Sequence, residues 1–506
     1  MTGRRPGSND VSSPPENGAG RVACRLAGSP VWSGIPPDRA SIGDAGGIAK
    51  WRALSYVAEP FLHRATVPLM SEATTLSTPD VTGVAARRLD RRDARTLLLS
   101  ALGGALEFYD FVVFVFLAVP LSELFFPQGT TPWLAQLKVY GIFAAGYLAR
   151  PLGGIVMAHF GDRSGRKRMF ALSVFLMALP TLAIGLLPTY AQAGTLAPLL
   201  LLLLRIVQGI AVGGEVPGAW VFVAEHVPPG RVGFACGSLT AGLTAGILIG
   251  SLLAVWLNAR LDAAQLLGWG WRLPFLLGGV FGFIAVWLRR WLSETPVFAE
   301  MREREQLSRE LPLRVVLAAH RRGVAVSMLV TWMLTAAVVV LILLLPSLAP
   351  KSFGIPPRLA SLGNALAACG LTVGCVLYGW LADRLGALQT LLAGSLLLIA
   401  GTWALFADLG AGGAHFLSLY ALAGLLVGVV GVVPVVMMQA FPPPVRFSGL
   451  SFSYNVAYAV FGAGTAAMIG WLAVHAGRMA PAYYVAITAL VSAGVGGWLL
   501  SRRRAD

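Results

Sequence analysis

The sequence predicts an all-α membrane protein, with twelve transmembrane helices in two six-helix halves and both termini in the cytoplasm. Hydrophobic residues make up 56% of its 506 residues and charged residues only 12%, and the mean hydropathy is +0.71. A soluble chain carries about twice that share of charged residues. A spanning helix needs roughly 20 mostly apolar residues, and about a dozen such stretches follow one another along this chain.

The distribution of basic residues predicts the orientation in the membrane. If the amino terminus is inside, the cytoplasmic loops and termini hold about 23 Lys and Arg from Arg87 onward, against about five in the opposite loops. Short cytoplasmic loops of membrane proteins carry this excess of positive charge. The net charge of +15 is therefore explained by orientation and by contact with the lipid bilayer, and no nucleic-acid partner is expected.

Composition divides the chain into six parts. Residues 1–69 are rich in Gly, Pro, Ser and Arg without an apolar period, so we expect a disordered tail or a start codon assigned too early. A protein that begins at Met70 is therefore expected to insert and transport normally. The other parts are a cytoplasmic leader (70–95), an N-terminal six-helix half (96–292), a cytoplasmic central loop (293–322), a C-terminal six-helix half (323–500) and a basic cytoplasmic tail (501–506).

Two loops of similar sequence support the division into halves. The spans are predicted at about 96–121, 135–159, 169–188, 197–224, 232–257, 272–292, 323–348, 358–382, 390–408, 413–440, 448–474 and 480–500. GDRSGRKR follows the second span, and GWLADRLG follows the eighth, which is the corresponding place in the second half. Such a repeat is typical of one large class of secondary transporters, which bind their substrate between the halves near the middle of the membrane.

Several strings carry a resemblance to a known family. GDRSGRK and RIVQG resemble the loop signature and the fourth-helix signature of the major facilitator superfamily. EFYDF, ARPLGG, QGIAVGGE, VAEHVPPGRVGF, WGWRLPF, SETPVF and FPPPVRFSG resemble its metabolite:proton symporter family, in the same order and over residues 96 to 490. The resemblance implies a protein of the bacterial inner membrane that moves a small carboxylate or zwitterion with protons. It implies no cofactor, since the proton gradient supplies the energy.

Ionisable residues inside the predicted spans are candidates for proton coupling, because charge at this depth is costly. Glu107 and Asp110 share one face of span 1. Two carboxylates in a poorly solvated cavity do not both ionise easily, so the pair is a candidate proton carrier. Arg205 of span 4 can modulate a nearby carboxylate, and Glu215 is a further candidate. The alternative is that these charges form permanent pairs that only hold helices together.

A second set of residues is expected to bind the substrate. Arg150 in span 2 and Arg272 at the start of span 6 can hold an anionic group, and Gln208 lies one turn after Arg205. Tyr454, Asn455 and Tyr458 share one face of span 11 as neutral candidates. For Arg272 the alternative is an interfacial anchor, and for the residues of span 11 it is plain helix packing.

The third set lies at predicted cytoplasmic helix ends and is assigned to gating. By the resemblance, Arg166 pairs with Glu225 at the end of span 4, and Asp162 faces the start of span 11. Negative charge is favourable at a helix amino terminus, so these contacts can hold one transport state and release in the other. The set comprises Asp162, Arg163, Arg166, Glu225, Asp383 and Arg384.

The leading interpretation is a secondary active transporter that imports its substrate with protons by alternating access and acts as a monomer. A drug/proton antiporter is one alternative. Antiporters of this superfamily usually carry a Gly-Pro element in span 5, and here Gly237, Gly242, Gly246 and Gly250 occur without proline. A transport-inactive membrane sensor is another alternative. The sequence does not favour an enzyme, because it shows no nucleotide loop, metal cluster or nucleophile triad.

Overall fold

The structure, a computed structural model, describes residues 90–127, 129–164, 166–288 and 312–505, and these residues form helices and short connections without a strand. Eleven of the helices are long and apolar enough to span a membrane, and a shorter apolar helix covers Leu172–Leu186. The predictions for residues 1–89 and for most of the central loop lie outside the described residues. The predicted all-helical fold class is confirmed.

The long helices are labelled α1 to α12 in chain order. The first six are α1 (Arg91–Phe116), α2 (Pro132–Ser164), α3 (Arg166–Leu186), α4 (Leu196–Ala224), α5 (Val232–Arg260) and α6 (Arg272–Leu288). Those that follow are α7 (Arg321–Phe353), α8 (Pro357–Leu385), α9 (Ala387–Gly410), α10 (Phe416–Gln439), α11 (Arg446–Ala476) and α12 (Ala480–Ala505). Short α-helices cover Ala118–Leu124, Tyr190–Ala193, Ala263–Gln265 and Pro312–Ala319, and single 3₁₀ turns cover Pro229–Arg231, Pro443–Val445 and Gly477–Met479.

Three of the long helices change their hydrogen-bonding pattern along their length. A π-helical segment, Val338–Leu344, interrupts α7, and a second one, Tyr458–Gly462, interrupts α11. A 3₁₀ segment, Gly428–Val432, interrupts α10. A further π-helical segment, Leu266–Gly270, leads into α6. Such single-turn π segments often occur at functional sites, and the one in α11 contains Tyr458, a predicted substrate-binding residue.

Each predicted span overlaps one of these helices, and the boundaries differ by a few residues. One of the largest differences is at the start of α1, which begins within the predicted leader. The backbone N–H of Asp93 donates to Asp90 Oδ1 at 2.8 Å, and the N–H of Asp90 donates to Asp93 Oδ2 at 3.1 Å. This reciprocal pair caps the first turn, so the helix starts in polar sequence that an apolar pattern does not mark. The short helix Pro312–Ala319 lies within the predicted central loop.

Close helix contacts position the interior of the bundle. Helix α5 packs against both α1 and α8. A Cβ atom at Gly246 would lie 2.8 Å from the backbone nitrogen of Tyr109 in α1, and one at Gly237 would lie 2.9 Å from the Cα of Gly379 in α8. Small residues of this kind allow membrane helices to approach closely. The glycines of α5 therefore allow this helix to pack closely against both α1 and α8.

The outer surface of the bundle is apolar, as contact with lipid requires. Large hydrophobic side chains are exposed on several helices, for example Leu203 of α4, Leu252 of α5 and Leu490 of α12, each more than half exposed. Soluble proteins rarely expose apolar surface on this scale. The polar side chains that the described helices bury therefore lie inside a bundle whose surface faces hydrocarbon.

Candidate functional site

Four charged side chains, each at most 1% exposed, lie inside the described helices. They are Asp110 in α1, Arg150 in α2, and Arg205 and Glu215 in α4. Burying an ion at membrane depth is expensive, and such residues usually face one another or a substrate pathway. These four side chains are therefore the first candidates for a functional site.

Arg205 belongs to a hydrogen-bonded chain that joins two helices. Its Nη1 donates to Gln208 Oε1 at 2.9 Å, and Gln208 Nε2 donates to Thr181 Oγ1 of α3 at 2.6 Å. The guanidinium carbon lies 4.2 Å from the ring centroid of Phe114 and 5.3 Å from that of Phe143. The structure thus brings the predicted pair together and adds Thr181, which the sequence did not mark.

Asp110 lies where α1 meets α3 and α6. A Cβ atom at Gly278 of α6 would lie 3.1 Å from the carboxyl carbon of Asp110 and 3.0 Å from the methyl group of Thr181. Because glycine has no side chain, both groups fit beside α6 at this point. Within the described residues, Asp110 Oδ1 has no hydrogen-bond partner. The site therefore holds a buried acid, Asp110, and a buried cation, Arg205, in one group with Thr181 and Gln208.

Glu107 was predicted to share this face of α1. Its side chain lies outside the part of the chain that the structure describes, so its role with Asp110 stays a prediction. The neighbouring Tyr109 is fully buried and donates its hydroxyl proton to the carbonyl oxygen of Pro274 at 2.9 Å. This bond fixes α1 against α6 next to Asp110.

Arg150 sits among aromatic rings contributed by α2 and α11. Its guanidinium carbon lies 4.2 Å from the ring centroid of Tyr458, 5.4 Å from that of Tyr454 and 5.6 Å from that of Tyr147. Its Nε donates to Asn455 Oδ1 at 3.3 Å. The structure therefore unites all four residues predicted here and adds Tyr147. That tyrosine lies one helical turn before Arg150, which is the signal that sequence reasoning could have used.

Aromatic rings connect the Arg150 group with the Arg205 group. The ring centroids of Phe143 and Tyr147 are 4.8 Å apart in an edge-to-face arrangement, and those of Tyr147 and Tyr458 are 5.5 Å apart. Phe143 also contacts the Arg205 guanidinium. The two groups thus form one continuous site, which we call the central site: Asp110, Thr181, Arg205 and Gln208 at one side, and Tyr147, Arg150, Tyr454, Asn455 and Tyr458 at the other.

Two predicted residues, Glu215 and Arg272, have described contacts outside the central site. Ser173 Oγ of α3 donates to Glu215 Oε2 at 3.0 Å. Arg272 Nη1 donates to the carbonyl oxygens of Gly185 and Leu187 at 2.8 Å each, and its guanidinium carbon lies 4.4 Å from the Trp271 ring centroid. These carbonyls are at the carboxyl end of α3, where arginine side chains stabilise a helix end. These contacts join the start of α6 to the end of α3, and the substrate-binding role of Arg272 stays a prediction.

Two contacts at the predicted cytoplasmic helix ends join different helices. Asp383 of α8 accepts hydrogen bonds from the backbone N–H groups of Gly233 at 2.6 Å and Phe234 at 2.8 Å, at the start of α5. A carboxylate at this position satisfies free N–H groups and the positive end of the helix dipole. Glu225, just after α4, has its Oε1 3.9 Å from Nη1 of Arg446 at the start of α11.

The sequence analysis missed Arg446, and the gating roles of the other residues stay predictions. Arg446 lies in FPPPVRFSG, one of the strings that carry the family resemblance. It did not stand out as a site residue, because basic residues are common in predicted cytoplasmic loops. The guanidinium carbon of Arg384 lies 5.3 Å from the Trp380 ring centroid. The side chains of Asp162, Arg163 and Arg166 lie outside the described residues, so their roles stay predictions.

A bundle of membrane-spanning helices with a buried charged site, and with contacts between helices at the ends, is typical of a secondary transporter. Comparison with known families agrees with this class. The profile of the Major Facilitator Superfamily matches residues 100–455. The chain therefore belongs to the major facilitator superfamily.

Individual relatives are similar over most of their length. The chain is 31% identical over 415 residues to the glycine betaine/proline/ectoine/pipecolic acid transporter OusA of Dickeya dadantii, which covers 79% of this chain and 82% of that protein. It is 34% identical over 406 residues to the inner membrane metabolite transport protein YhjE of Escherichia coli, at 78% and 91% coverage. The predicted resemblance is thereby confirmed, and the chain is a multi-pass transporter of the bacterial inner membrane rather than an enzyme.

Solved structures agree on the fold. The proton:xylose symporter XylE matches with a TM-score of 0.66 at 16% sequence identity, covering 79% of this chain and 94% of that one. A second structure, of an XylE variant with two introduced tryptophans, matches with a TM-score of 0.68 at 17% identity. At this level of identity the likeness extends to the fold alone, which is the predicted major facilitator fold.

Proposed function

We propose that this transporter imports a small organic carboxylate or zwitterion together with protons, by alternating access and without a cofactor. Its relatives support this substrate class. The name of OusA covers glycine betaine, proline, ectoine and pipecolic acid. The shikimate transporter of Escherichia coli is 31% identical over 379 residues. Each of these compounds carries a carboxylate, and several also carry a cationic nitrogen.

The observation that carries the proposal is the burial of two opposite charges, Asp110 and Arg205, in one group with Gln208 and Thr181. Protonation of Asp110 would remove its attraction for the guanidinium, and that attraction is strong where water is scarce. Arg205 would keep its hydrogen bond to Gln208 at 2.9 Å. A proton that binds Asp110 would therefore change the forces between α1 and α4. A proton-driven transporter needs this kind of link between protonation and helix position.

The tyrosines around Arg150 support the proposed substrate class. A guanidinium can bind a carboxylate through two parallel hydrogen bonds. The faces of aromatic rings attract cations, and Tyr458 already holds the Arg150 guanidinium at 4.2 Å. A zwitterion could place its carboxylate against Arg150 and its cationic nitrogen against a tyrosine face. Because α2 and α11 both contribute, substrate binding would also draw together helices from the two predicted halves.

Gradient-driven uptake tests this proposal. The purified full-length protein is reconstituted into liposomes with an alkaline interior, and accumulation of labelled glycine betaine, proline and shikimate is measured with and without a protonophore. We expect at least one compound to accumulate, and accumulation to stop with the protonophore. Asp110→Asn should abolish it. Glu123→Gln, which removes an exposed carboxylate in the short helix Ala118–Leu124, is the matched control and should leave it unchanged.

Other outcomes would select an alternative function. Uptake that requires an acidic interior would indicate a proton antiporter. Binding without flux under any gradient would indicate a transport-inactive sensor. A screen for thermal stabilisation supplies the binding measurement, because a ligand that binds only the folded state raises the unfolding temperature. The same screen, extended to other carboxylates and zwitterions, identifies the substrate if none of the three compounds binds.

A further inference from the structure

We propose that a cleft between the ends of α7, α10 and α12 binds the headgroup of an anionic phospholipid. The cleft has a volume of about 260 Å³. Arg322 at the start of α7, Gln439 at the end of α10, and Trp498, Arg502 and Arg503 at the end of α12 are among the residues that line it. We call it the basic cleft. It is separate from the central site, and the inference does not rest on the proposed function.

The charge of the basic cleft indicates an anionic ligand. Arg322, Arg502 and Arg503 are exposed, and no Asp or Glu is among the lining residues. Arg503 Nη2 donates to Gln439 Oε1 at 2.8 Å, and the Arg502 guanidinium carbon lies 4.4 Å from the Trp498 ring centroid. Within the described part of the chain, none of the three arginines forms an ion pair. Guanidinium groups bind phosphate oxygens through paired hydrogen bonds.

The walls of the basic cleft favour a lipid over a free anion. Val326, Leu388, Val436 and Leu499 also line it, so apolar surface lies beside the arginines. The start of α7 lies close to the end of α10 here, since a Cβ atom at Gly323 would lie 2.7 Å from the carbonyl oxygen of Ala440. Trp498 is 42% exposed on the surface of the bundle, and tryptophan is enriched where membrane and water meet. A phospholipid fits this cleft, because its phosphate can contact the arginines and its acyl chains can contact the apolar side chains.

The predicted orientation places the basic cleft at the leaflet where such a lipid is available. The carboxyl end of α12 and the start of α7 lie on the predicted cytoplasmic side, and basic pockets between helices on that side bind anionic headgroups. A lipid bound there would contact three helices at once. It would therefore stabilise the folded bundle without entering the central site.

Thermal unfolding of the purified full-length protein is the first test. The protein is measured in a neutral detergent with phosphatidylglycerol, with phosphatidylcholine at the same mole fraction, and with inorganic phosphate. We expect phosphatidylglycerol alone to raise the unfolding temperature, by several degrees, because it binds the folded state. An equal rise with inorganic phosphate would show a free-anion site, and an equal rise with phosphatidylcholine would show unspecific lipid solvation. Either result would overturn the proposal.

Matched charge removal is the second test. Arg322→Gln/Arg502→Gln/Arg503→Gln removes three positive charges from the basic cleft. Arg91→Gln/Arg95→Gln/Arg314→Gln removes three exposed ones elsewhere on the predicted cytoplasmic side. Binding of phosphatidylglycerol, titrated by native mass spectrometry, should weaken about tenfold or more in the first triple variant and change little in the second, since each basic group near the membrane adds to the attraction. Equal losses in the two variants, or no loss in the first, would refute a specific site.

A single substitution serves as the test if the triple variant is less stable than the wild type. If the cleft triple variant unfolds at a lower temperature without lipid, Arg502→Gln is titrated in its place. Its affinity for phosphatidylglycerol should fall about threefold to tenfold, because one of three guanidinium groups is lost. Unchanged affinity in a stably folded Arg502→Gln would count against the basic cleft.

Discussion

Asp110 and Glu107, three residues apart on α1, are the two carboxylates proposed to carry the coupled proton. Asparagine and glutamine cannot take up and release a proton, so Asp110→Asn or Glu107→Gln should abolish accumulation against a gradient. Exchange of substrate for substrate moves no net proton, and it should survive in at least one variant. Both activities are measured on the same vesicles with matched amounts of protein, with Glu123→Gln as the control.

The opposite result would relocate the coupling site. If both variants still accumulate substrate, the proton is carried elsewhere. Glu215 is then the next candidate, since it is 1% exposed and accepts a hydrogen bond from Ser173. Loss of exchange together with accumulation in both variants would show that the carboxylates are needed for helix packing or substrate binding.

Arg150 offers a test of substrate recognition that keeps the charge constant. Arg150→Lys retains the positive charge, but an ammonium group lacks the planar fork that pairs with a carboxylate and lies flat on aromatic rings. We expect the dissociation constant of the transported compound to rise about tenfold or more, as two charge-assisted hydrogen bonds become one. Isothermal titration in detergent measures this.

Arg272→Lys is the matched control for Arg150→Lys. Arg272 bonds the end of α3, so its substitution should lower the unfolding temperature and leave substrate affinity within about twofold. An affinity loss confined to Arg272→Lys would place the anion site at the start of α6 and contradict the assignment to Arg150.

At the scale of helices, the sequence predicted the features that depend on long apolar segments or on charged residues inside them. Spans were predictable because lipid requires long apolar helices, and Arg150 stood out because an arginine inside a span is rare. Thr181 and Gly278 were missed because neutral and small residues are ordinary in such helices. The π-helical segments were missed because their apolar sequence is indistinguishable from that of an α-helix.

Asp383 of α8 caps the start of α5 and so joins two long helices. Asp383→Ala removes the acceptor for two N–H groups, which costs about 1 kcal/mol for a typical cap. Because the cap joins α8 to α5, the loss should slow transport severalfold while substrate affinity stays the same. Asp383→Asn keeps one acceptor oxygen and should be intermediate. Transport rate and affinity are measured on the same preparation.

Asp262 provides the control for Asp383. Its Oδ1 accepts from the N–H of Gln265 at 2.7 Å, so it caps a short helix without joining two long ones. Asp262→Ala should therefore leave the transport rate unchanged. Equal slowing in Asp262→Ala and Asp383→Ala would mean that any lost cap slows the protein, and that Asp383 has no special role in gating.

For the whole molecule, the described contacts join helices at both ends of the bundle. At the predicted cytoplasmic end, Glu225 meets Arg446, and Asp383 meets the start of α5. At the other end, Asn364 Nδ2 of α8 donates to Ser251 Oγ of α5 at 3.3 Å. The proposed alternating access requires each end to open in turn, so we expect each cycle to break both sets of contacts.

Cross-linking tests this requirement directly. In a protein whose four native cysteines are replaced, Ser251→Cys/Asn364→Cys joins one end and Glu225→Cys/Arg446→Cys joins the other. A short bifunctional thiol reagent should stop transport in either double variant, because α5 cannot leave α8, or α4 cannot leave α11. A reductant that cleaves the reagent should restore the rate measured before cross-linking, and the single-cysteine variants should be insensitive. Transport that continues in fully cross-linked protein would show that the joined helices move as one body, and the opening would then have to occur between other helices.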